Sequence, residues 1–304
     1  MKISILGAGM VGGAVANALA HLGHRLELGL YDKNSAIAQA QMLDINSGLT
    51  GAPLVVAKTL EEMRDSDVVI VAAGKRPTAG MSTQQIFDLN CDLLEPTLKR
   101  MFELSPKAVY INAAHPMDLM TNQLVHWLGK EHFRRVIGTG TLLETALLRQ
   151  TLASRFALHP SAVQGVVIGE QGGSALVAWS TVRLAGLSLS AYLEQQGQSL
   201  SSFEQGKIAD QLQHAVKNAL QAKGSFLYGV GSAVAQIVRA LFADSHELLT
   251  ISAWSEKEGV ALSLPRILGR SGVLETIMPT LTQEEQGRFG VVVGYYTGTF
   301  ATQP

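Results

Sequence analysis

One cysteine, Cys91, in a chain of 304 residues excludes an intramolecular disulfide framework and any cysteine-rich metal centre. Charge of neither sign is in excess. The 24 Lys and Arg stand against 25 Asp and Glu, with no long basic or acidic block. The chain therefore lacks the electrostatic footprint that nucleic acid or an anionic lipid surface would require. No apolar run approaches the ~20 residues needed to span a bilayer. The eight histidines are scattered without an i, i+4 pair, and His132 beside Glu131 lacks a third group at ligand spacing, so no metal site is expected. A strand-like run begins at Lys2, leaving no room for a leader peptide, and a lone thiol fits a reducing compartment. The expectation is a cytoplasmic protein whose partners are small molecules, without nucleic acid, membrane or metal.

What is present is apolar. Hydrophobic residues make up 47% of the chain, with 30 glycines and a mean hydropathy of +0.18, a lean that favours burial between subunits. Residues 2 to 140 alternate short apolar runs with amphipathic stretches, the pattern of a doubly wound parallel sheet. Strands are predicted at Lys2–Leu6, Leu26–Tyr31, Leu54–Val56, Val68–Val71, Ala108–Asn112 and Arg135–Ile137. Helices are predicted at Val11–Leu22, Ala36–Met42 and Asp88–Leu104. Six strands so separated match a Rossmann architecture over residues 1–140. Beyond Gly140 the pattern becomes α+β, with a helix near Leu142–Leu152, β-rich segments near Ala162–Ile168 and Ala175–Val182, and helices at Glu204–Lys223 and Ser232–Leu241. Residues 141–304 are expected to form a C-terminal α+β substrate domain packed closely on the first. Gly290, Gly294 and Gly298 recur every four residues, which in a helix puts them on one face suited to packing or oligomer contact, with a strand as the rival assignment.

Gly7-Ala8-Gly9-Met10-Val11-Gly12 follows a predicted strand and opens a helix, the context that gives a G-x-G-x-x-G run its meaning. The first glycine permits a tight turn, the second lets the backbone approach a pyrophosphate, and the third lets helix pack on strand. Asp32 closes the second strand about 20 residues further on, where a carboxylate accepts hydrogen bonds from an adenosine ribose and repels a 2'-phosphate. NAD is thus expected as cofactor over NADP, although Lys33 beside Asp32 weighs the other way.

Taken together, these residues resemble the lactate/malate dehydrogenase family, and the likeness runs nearly end to end. Gln41-Met42-Leu43-Asp44-Ile45 looks like the family's Leu-Asp-Leu segment. Ala72-Ala73-Gly74-Lys75-Arg76-Pro77 with Gly80-Met81-Ser82 looks like its mobile loop, and His115-Pro116-Met117-Asp118 stands where the family writes Asn-Pro-Val-Asp. Gly138-Thr139-Gly140-Thr141-Leu142-Leu143-Glu144 resembles the start of its catalytic helix, and Lys223-Gly224 with Tyr228 and Gly231 a later substrate wall. The ending fits through Ser263-Leu264-Pro265, Gly269 and Gly272-Val273. The resemblance implies homodimers or homotetramers. It also implies cofactor contacts from Ala73, Gly74, Arg76 and Asn112 beside Gly7, Gly9, Met10, Val11, Gly12 and Asp32.

The departures fall on the chemistry that the resemblance implies. Gln171 occupies the place of the proton-shuttling histidine, and Glu144 that of the carboxylate orienting it. Leu147 stands for the substrate-clamping arginine and Thr83 for the carbonyl-polarising one. His115 replaces an asparagine at the reacting oxygen, Gly173 an aspartate, and Phe226 a small hydroxylic wall residue. Loss of a general acid/base costs roughly 10²–10⁴ in rate, and each charge-assisted contact is worth about 1.5–3 kcal/mol, so efficient lactate or malate turnover is not expected. Two readings follow. One is an NAD-dependent oxidoreductase with a rewired site. In it His115 is the candidate acid/base, oriented by Glu144 or Glu170, and Leu147, Phe226 and Gly173 line a more apolar pocket for another hydroxy or keto compound. Arg149 could supply an anion contact, but helical spacing turns it to another face. The other reading is a non-catalytic NAD-binding regulatory or assembly protein of the same fold.

Overall fold

The computed structural model describes residues 1–23, 25–51, 54–75, 80–223 and 226–301. Its first half runs β1 (Lys2–Leu6), α1 (Met10–Ala20), β2 (Glu27–Tyr31), α2 (Ser35–Ser47), β3 (Val55–Ala57), β4 (Val68–Val71), α3 (Thr83–Leu104), β5 (Val109–Asn112), α4 (Met117–Leu128) and β6 (Val136–Gly138). These strands pair in parallel in the order β6-β5-β4-β1-β2-β3. Helices cover both faces of a parallel sheet, which is why Val-Val-Ile-Val of β4 is buried throughout without alternation. Each predicted strand is found within one or two residues.

The second half adds α5 (Leu142–Arg155), β7 (Val163–Ile168), β8 (Leu176–Leu184), β9 (Leu187–Ser188), α6 (Leu189–Gln195), α7 (Ser202–Lys223), α8 (Leu227–Ala243), β10 (Glu247–Ser255), β11 (Val260–Gly269), β12 (Gly272–Thr276) and α9 (Gln283–Ala301). Strands β7, β8 and β9 form a small antiparallel sheet. Strands β10 to β12 instead continue the large sheet beyond β6, giving nine strands in one sheet. The boundary at residue 140 is thus a boundary in the chain, crossed by sheet hydrogen bonding. Helix α8 strengthens the join by lying on α1, so close that a methyl group at Gly231 would sit 2.8 Å from the Ala14 carbonyl oxygen.

Three features depart from the sequence expectation. Strands β10 to β12 went unpredicted because β10 and β11 are buried along almost their whole length, and a strand apolar on both faces carries no period-two signal. Helix α4 was also missed, because Asp118, Thr121 and Asn122 lie on its buried face and blur its amphipathic pattern. At the C-terminus the glycine-repeat segment is helix α9. Phe289, Val292 and Tyr296 face the core, while Gly290, Gly294 and Gly298 have nothing within 4 Å, so these glycines do not mediate packing among the described residues.

Arg266, in the middle of β11, is fully buried. It donates to the carbonyl oxygens of Ala253 at 2.6 Å, Leu262 at 3.2 Å and Trp254 at 3.3 Å, and to the Thr276 hydroxyl. Burial lowers its pKa to about 10, so it stays charged at neutral pH and cross-links β10, β11 and β12. Arg266→Ala would strand these buried acceptors. It is expected to destabilise the protein by about 3 kcal/mol or more, read as a fall in the urea midpoint at unchanged slope.

Candidate active site

The carboxyl ends of β1, β4 and β5 lie side by side, and the turns leaving them build one edge of the site. Gly7 has φ +101°, and a methyl group there would sit 2.5 Å from the Ala73 nitrogen, so the turns after β1 and β4 touch backbone to backbone. At Gly12 a methyl group would fall 1.8 Å from the Gly7 carbonyl oxygen, whereas at Gly9 it would meet nothing within 4 Å. The first and third glycines are therefore packed and the second faces open space. Gly9 also caps α1 without a side-chain acceptor, so the start of α1, at Met10 and Val11, presents backbone towards that space. Asp32 is held beside the turn, its Oδ2 accepting the Ala8 N–H at 2.9 Å and its Oδ1 the Asn34 N–H at 2.9 Å. Lys33 is drawn away, its Nζ donating to the Leu93 carbonyl of α3 at 3.3 Å. This cradle fits a dinucleotide: an open glycine, a helix start and a fixed carboxylate.

Two of the expected cofactor contacts need correction or qualification. Asn112 is fully buried. Its Nδ2 donates to the Met117 carbonyl at 2.9 Å and to Thr121 Oγ1 at 3.1 Å, while its Oδ1 accepts from Ala114 N at 2.9 Å. The side chain is consumed in shaping the turn before α4 and has nothing left for a nucleotide. Arg76 lies outside the described residues. Ala73 and Gly74 do line the turn after β4, where Asn90 of α3 braces them. Asn90 Oδ1 accepts the Lys75 N–H at 2.7 Å, and Nδ2 donates to the His115 carbonyl at 2.6 Å.

The catalytic candidates are brought together only in part. His115 is exposed, and the protein mass around it lowers its pKa below the ordinary imidazole value by desolvation. None of the hydrogen bonds and ion pairs among the described residues joins its ring to Glu144 or Glu170, so the expected orienting carboxylate is missing. Thr83 is the exposed first residue of α3, after the Ser82 cap. Gln171 sits on the loop after β7, its backbone N–H donating to Asp118 Oδ2 at 2.7 Å. Leu147 packs into the apolar cluster beneath α5, with Leu148, Leu152 and Val177. The ring of Phe226 lies against Gly229. Gly173 lines a separate cleft of about 360 Å³ with Glu170, Gln213, Arg288, Val291 and Tyr295. Gly173 thus lies on a cleft whose lining includes neither Leu147 nor Phe226, while Phe226 and Leu143 of α5 both lie against Gly229. Arg149 is also tied down, its Nε donating to the Gly165 carbonyl at 3.2 Å.

The element that sequence reasoning missed is Asp118. It stands in the first turn of α4, and Glu144 stands in the first turn of α5, where helix dipoles favour negative charge. Both are buried, at 1% and 5% exposure, and Asp118 Oδ1 and Glu144 Oε2 have no hydrogen-bond partner. No ion pair reaches either carboxyl among the described residues. Thr141, donating to the Val167 carbonyl, and Thr145, accepting the Val167 N–H at 3.1 Å, rivet the start of α5 to β7 and hold Glu144 in place. Burial pushes Asp118 up to about 7, with Glu170 adding and the Ser252 hydroxyl and Gln171 N–H partly offsetting. Burial pushes Glu144 up to about 7 as well, and Asp118 adds to it. The signal for Asp118 was present in His-Pro-Met-Asp, read there as a family mark and not as a charge about to be buried. Burial and its acidic neighbours push the Cys91 thiol up to about 12.

A family model described as lactate/malate dehydrogenase, NAD binding domain, matches residues 1–138. A second, described as lactate/malate dehydrogenase, alpha/beta C-terminal domain, matches residues 141–293. The chain belongs to the lactate/malate dehydrogenase family. It is 35% identical over 292 residues to the L-lactate dehydrogenase of Thermus aquaticus, covering 94% of each chain. It is 32% identical over 303 residues to that of Deinococcus radiodurans, covering 98% of each. The crystal structure of the minor L-lactate dehydrogenase from Enterococcus mundtii superposes with a TM-score of 0.93 at 27% identity, covering 100% of this chain and 98% of that one. The chain is an oxidoreductase of the lactate/malate dehydrogenase type with an NAD-binding Rossmann domain. The relatives are named for lactate, which lends no support to the expectation, drawn from Gln171, Leu147 and Thr83, that lactate is not a substrate.

The raised carboxyls carry a sign for stability. Their folded values lie above the unfolded 3.8 and 4.5, so the native state binds more protons between those values and about 7. Their contribution to stability is full below that window and is lost as pH rises through it. Glu144→Gln removes one of the two groups. It is expected to flatten the decline in Tm from about pH 5 to about pH 8, and an unchanged slope in calorimetric scans would contradict the burial of charge at Glu144.

Proposed function

We propose that this chain is an NAD-dependent dehydrogenase acting on a hydroxy or keto compound other than lactate or malate. The observation that carries this reading is the buried pair Asp118 and Glu144, with no compensating cation among the described residues and with Leu147 turned into an apolar cluster. A substrate carboxylate brought to this place would meet like charge in a medium that screens it poorly, so a neutral or cationic compound is favoured. The names of the relatives weigh towards lactate, and the reading departs from them on these residues alone.

NAD, when bound, supplies or takes the hydride. The turn at Gly7 and Gly9 and the start of α1 bind the pyrophosphate, and Asp32 accepts hydrogen bonds from the ribose. The fixed carboxylate of Asp32 and the diversion of Lys33 to α3 support NAD over NADP. Neutral at working pH and open to the cleft, His115 serves as a hydrogen-bonding group at the reacting oxygen. Exposed Leu43 on α2, Tyr228 on α8 and Val291 on α9, at 70%, 77% and 74%, support assembly into a homodimer or homotetramer, and the single thiol supports a cytoplasmic location. The missing orienting partner of His115 favours a second reading, a non-catalytic NAD-holding protein.

Titration with NADH and NADPH followed by cofactor fluorescence is expected to give binding of NADH in preference to NADPH. Added pyruvate or oxaloacetate should then oxidise the bound NADH at least ~10²-fold more slowly than a site with a working acid/base. Rapid oxidation by either would sink the substrate assignment. Inertness towards a panel of neutral and cationic carbonyl compounds would favour the non-catalytic reading.

A further inference from the structure

The reaction of a dehydrogenase moves a proton as well as a hydride, and Gln171 cannot move one near neutral pH. No hydrogen bond or ion pair among the described residues orients the His115 ring. Among the described residues, the place that can keep a proton out of water is the pair below Gln171. Asp118 on α4 and Glu144 on α5 are each more than nine-tenths buried, and each has one oxygen without a partner. The Ser252 hydroxyl of β10, also fully buried, lies beside Asp118 and moderates its charge, yet falls outside good hydrogen-bond geometry. The titratable groups that face the pair are Glu170 on the loop after β7 and Tyr296 on α9. Burial and the charges of Asp118 and Glu170 raise the pKa of Tyr296, so it faces them as a neutral phenol. Among the described residues the charged neighbours named are negative. Two neighbouring carboxyls in such surroundings resist ionising together, and near neutral pH the remaining proton belongs to the pair and not to either residue.

We propose that Asp118 and Glu144 hold one proton between them and supply it as the acid, and take it back as the base, of the hydride-transfer reaction. This rests on the oxidoreductase reading above. In the reductive direction the carbonyl carbon takes the hydride, the C=O π pair moves onto oxygen, and oxygen receives the proton held by the pair, which is left with both carboxyls ionised. Water restores the proton as the alcohol leaves. Oxidation runs the same steps backwards, the ionised pair taking the hydroxyl proton as the hydride departs. Asp118 is anchored to the catalytic loop by the Gln171 N–H, so the proton is stored directly against the segment where the family keeps its histidine. The positive charge of an oxidised nicotinamide would favour the ionised pair, and Asp118 and Glu144 would then give up their proton on binding of the oxidised cofactor and keep it with the reduced one.

Infrared spectra of the full chain without cofactor, stepped through the neutral range, test the stored proton. A band from a buried protonated carboxyl is expected to fade as pH rises through neutral. It should shrink in Glu144→Gln and in Asp118→Asn and disappear in the double variant; should Asp118→Asn fail to fold, Glu144→Gln alone decides. Absence of such a band in the unaltered protein, or a band untouched by Glu144→Gln, overturns the proposal. Calorimetry in buffers of different ionisation enthalpy then tests its use. Binding of NAD⁺ is expected to release a proton that binding of NADH does not, and Glu144→Gln should lose that release. Equal release with the two cofactors, or release retained in Glu144→Gln, overturns the role in the reaction. Failure to bind either cofactor sinks the oxidoreductase reading instead, while the infrared band still decides whether the pair shares a proton.

Discussion

Where β6 meets β10, Gly138 faces Ser252 across the sheet, and the absence of side chains there allows a contact on which the rest of the molecule depends. A methyl group at Gly138 would lie 2.5 Å from Thr121 Oγ1, and one at Gly140, with φ +52°, would lie 2.4 Å from the Ser252 nitrogen. Through this seam the nucleotide-binding sheet becomes continuous with β10 to β12. The seam also sets the direction in which the chain enters α5, and so the position of Glu144. Thr141 N donates to Ser263 Oγ at 3.2 Å, and Gly169 and Ser263 exchange two backbone hydrogen bonds of 2.8 Å. The loop after β7, the start of α5 and the middle of β11 are thereby fixed to one another without help from the side chains of Gln171 and Leu147.

That separation between scaffold and chemistry explains the make-up of the site. In a fold held together by glycine contacts and sheet hydrogen bonds, the architecture does not depend on the side chains of Gln171 and Leu147, and the cradle stands around Gly7, Gly9 and Asp32. Among the described residues no cation pairs with Asp118 or Glu144, and the first turns of α4 and α5 and the Gln171 N–H moderate the charge there.

The Rossmann half was legible because its physics is local: strand periods, a glycine turn whose three members have distinct steric duties, and an acidic residue at a strand end. Strands β10 and β11 were illegible because burial on both faces erases alternation, and Asn112 was misread because a side chain implied to meet a cofactor is spent within its own turn. The surroundings of Gln171 and Glu144 were not legible, since the bond between Asp118 and Gln171 joins residues 53 apart in the chain. Leu147, Phe226 and Gly173 were grouped by analogy, and the cleft that Gly173 lines includes neither of the other two.

Asn90 gives α3 a mechanical significance. Fully buried, it holds the turn after β4 through Lys75 and the turn after β5 through the His115 carbonyl, with one amide bonded to both. One buried side chain of α3 thus ties the turn leaving β4 to the turn leaving β5, and a change at this single position would loosen both turns together.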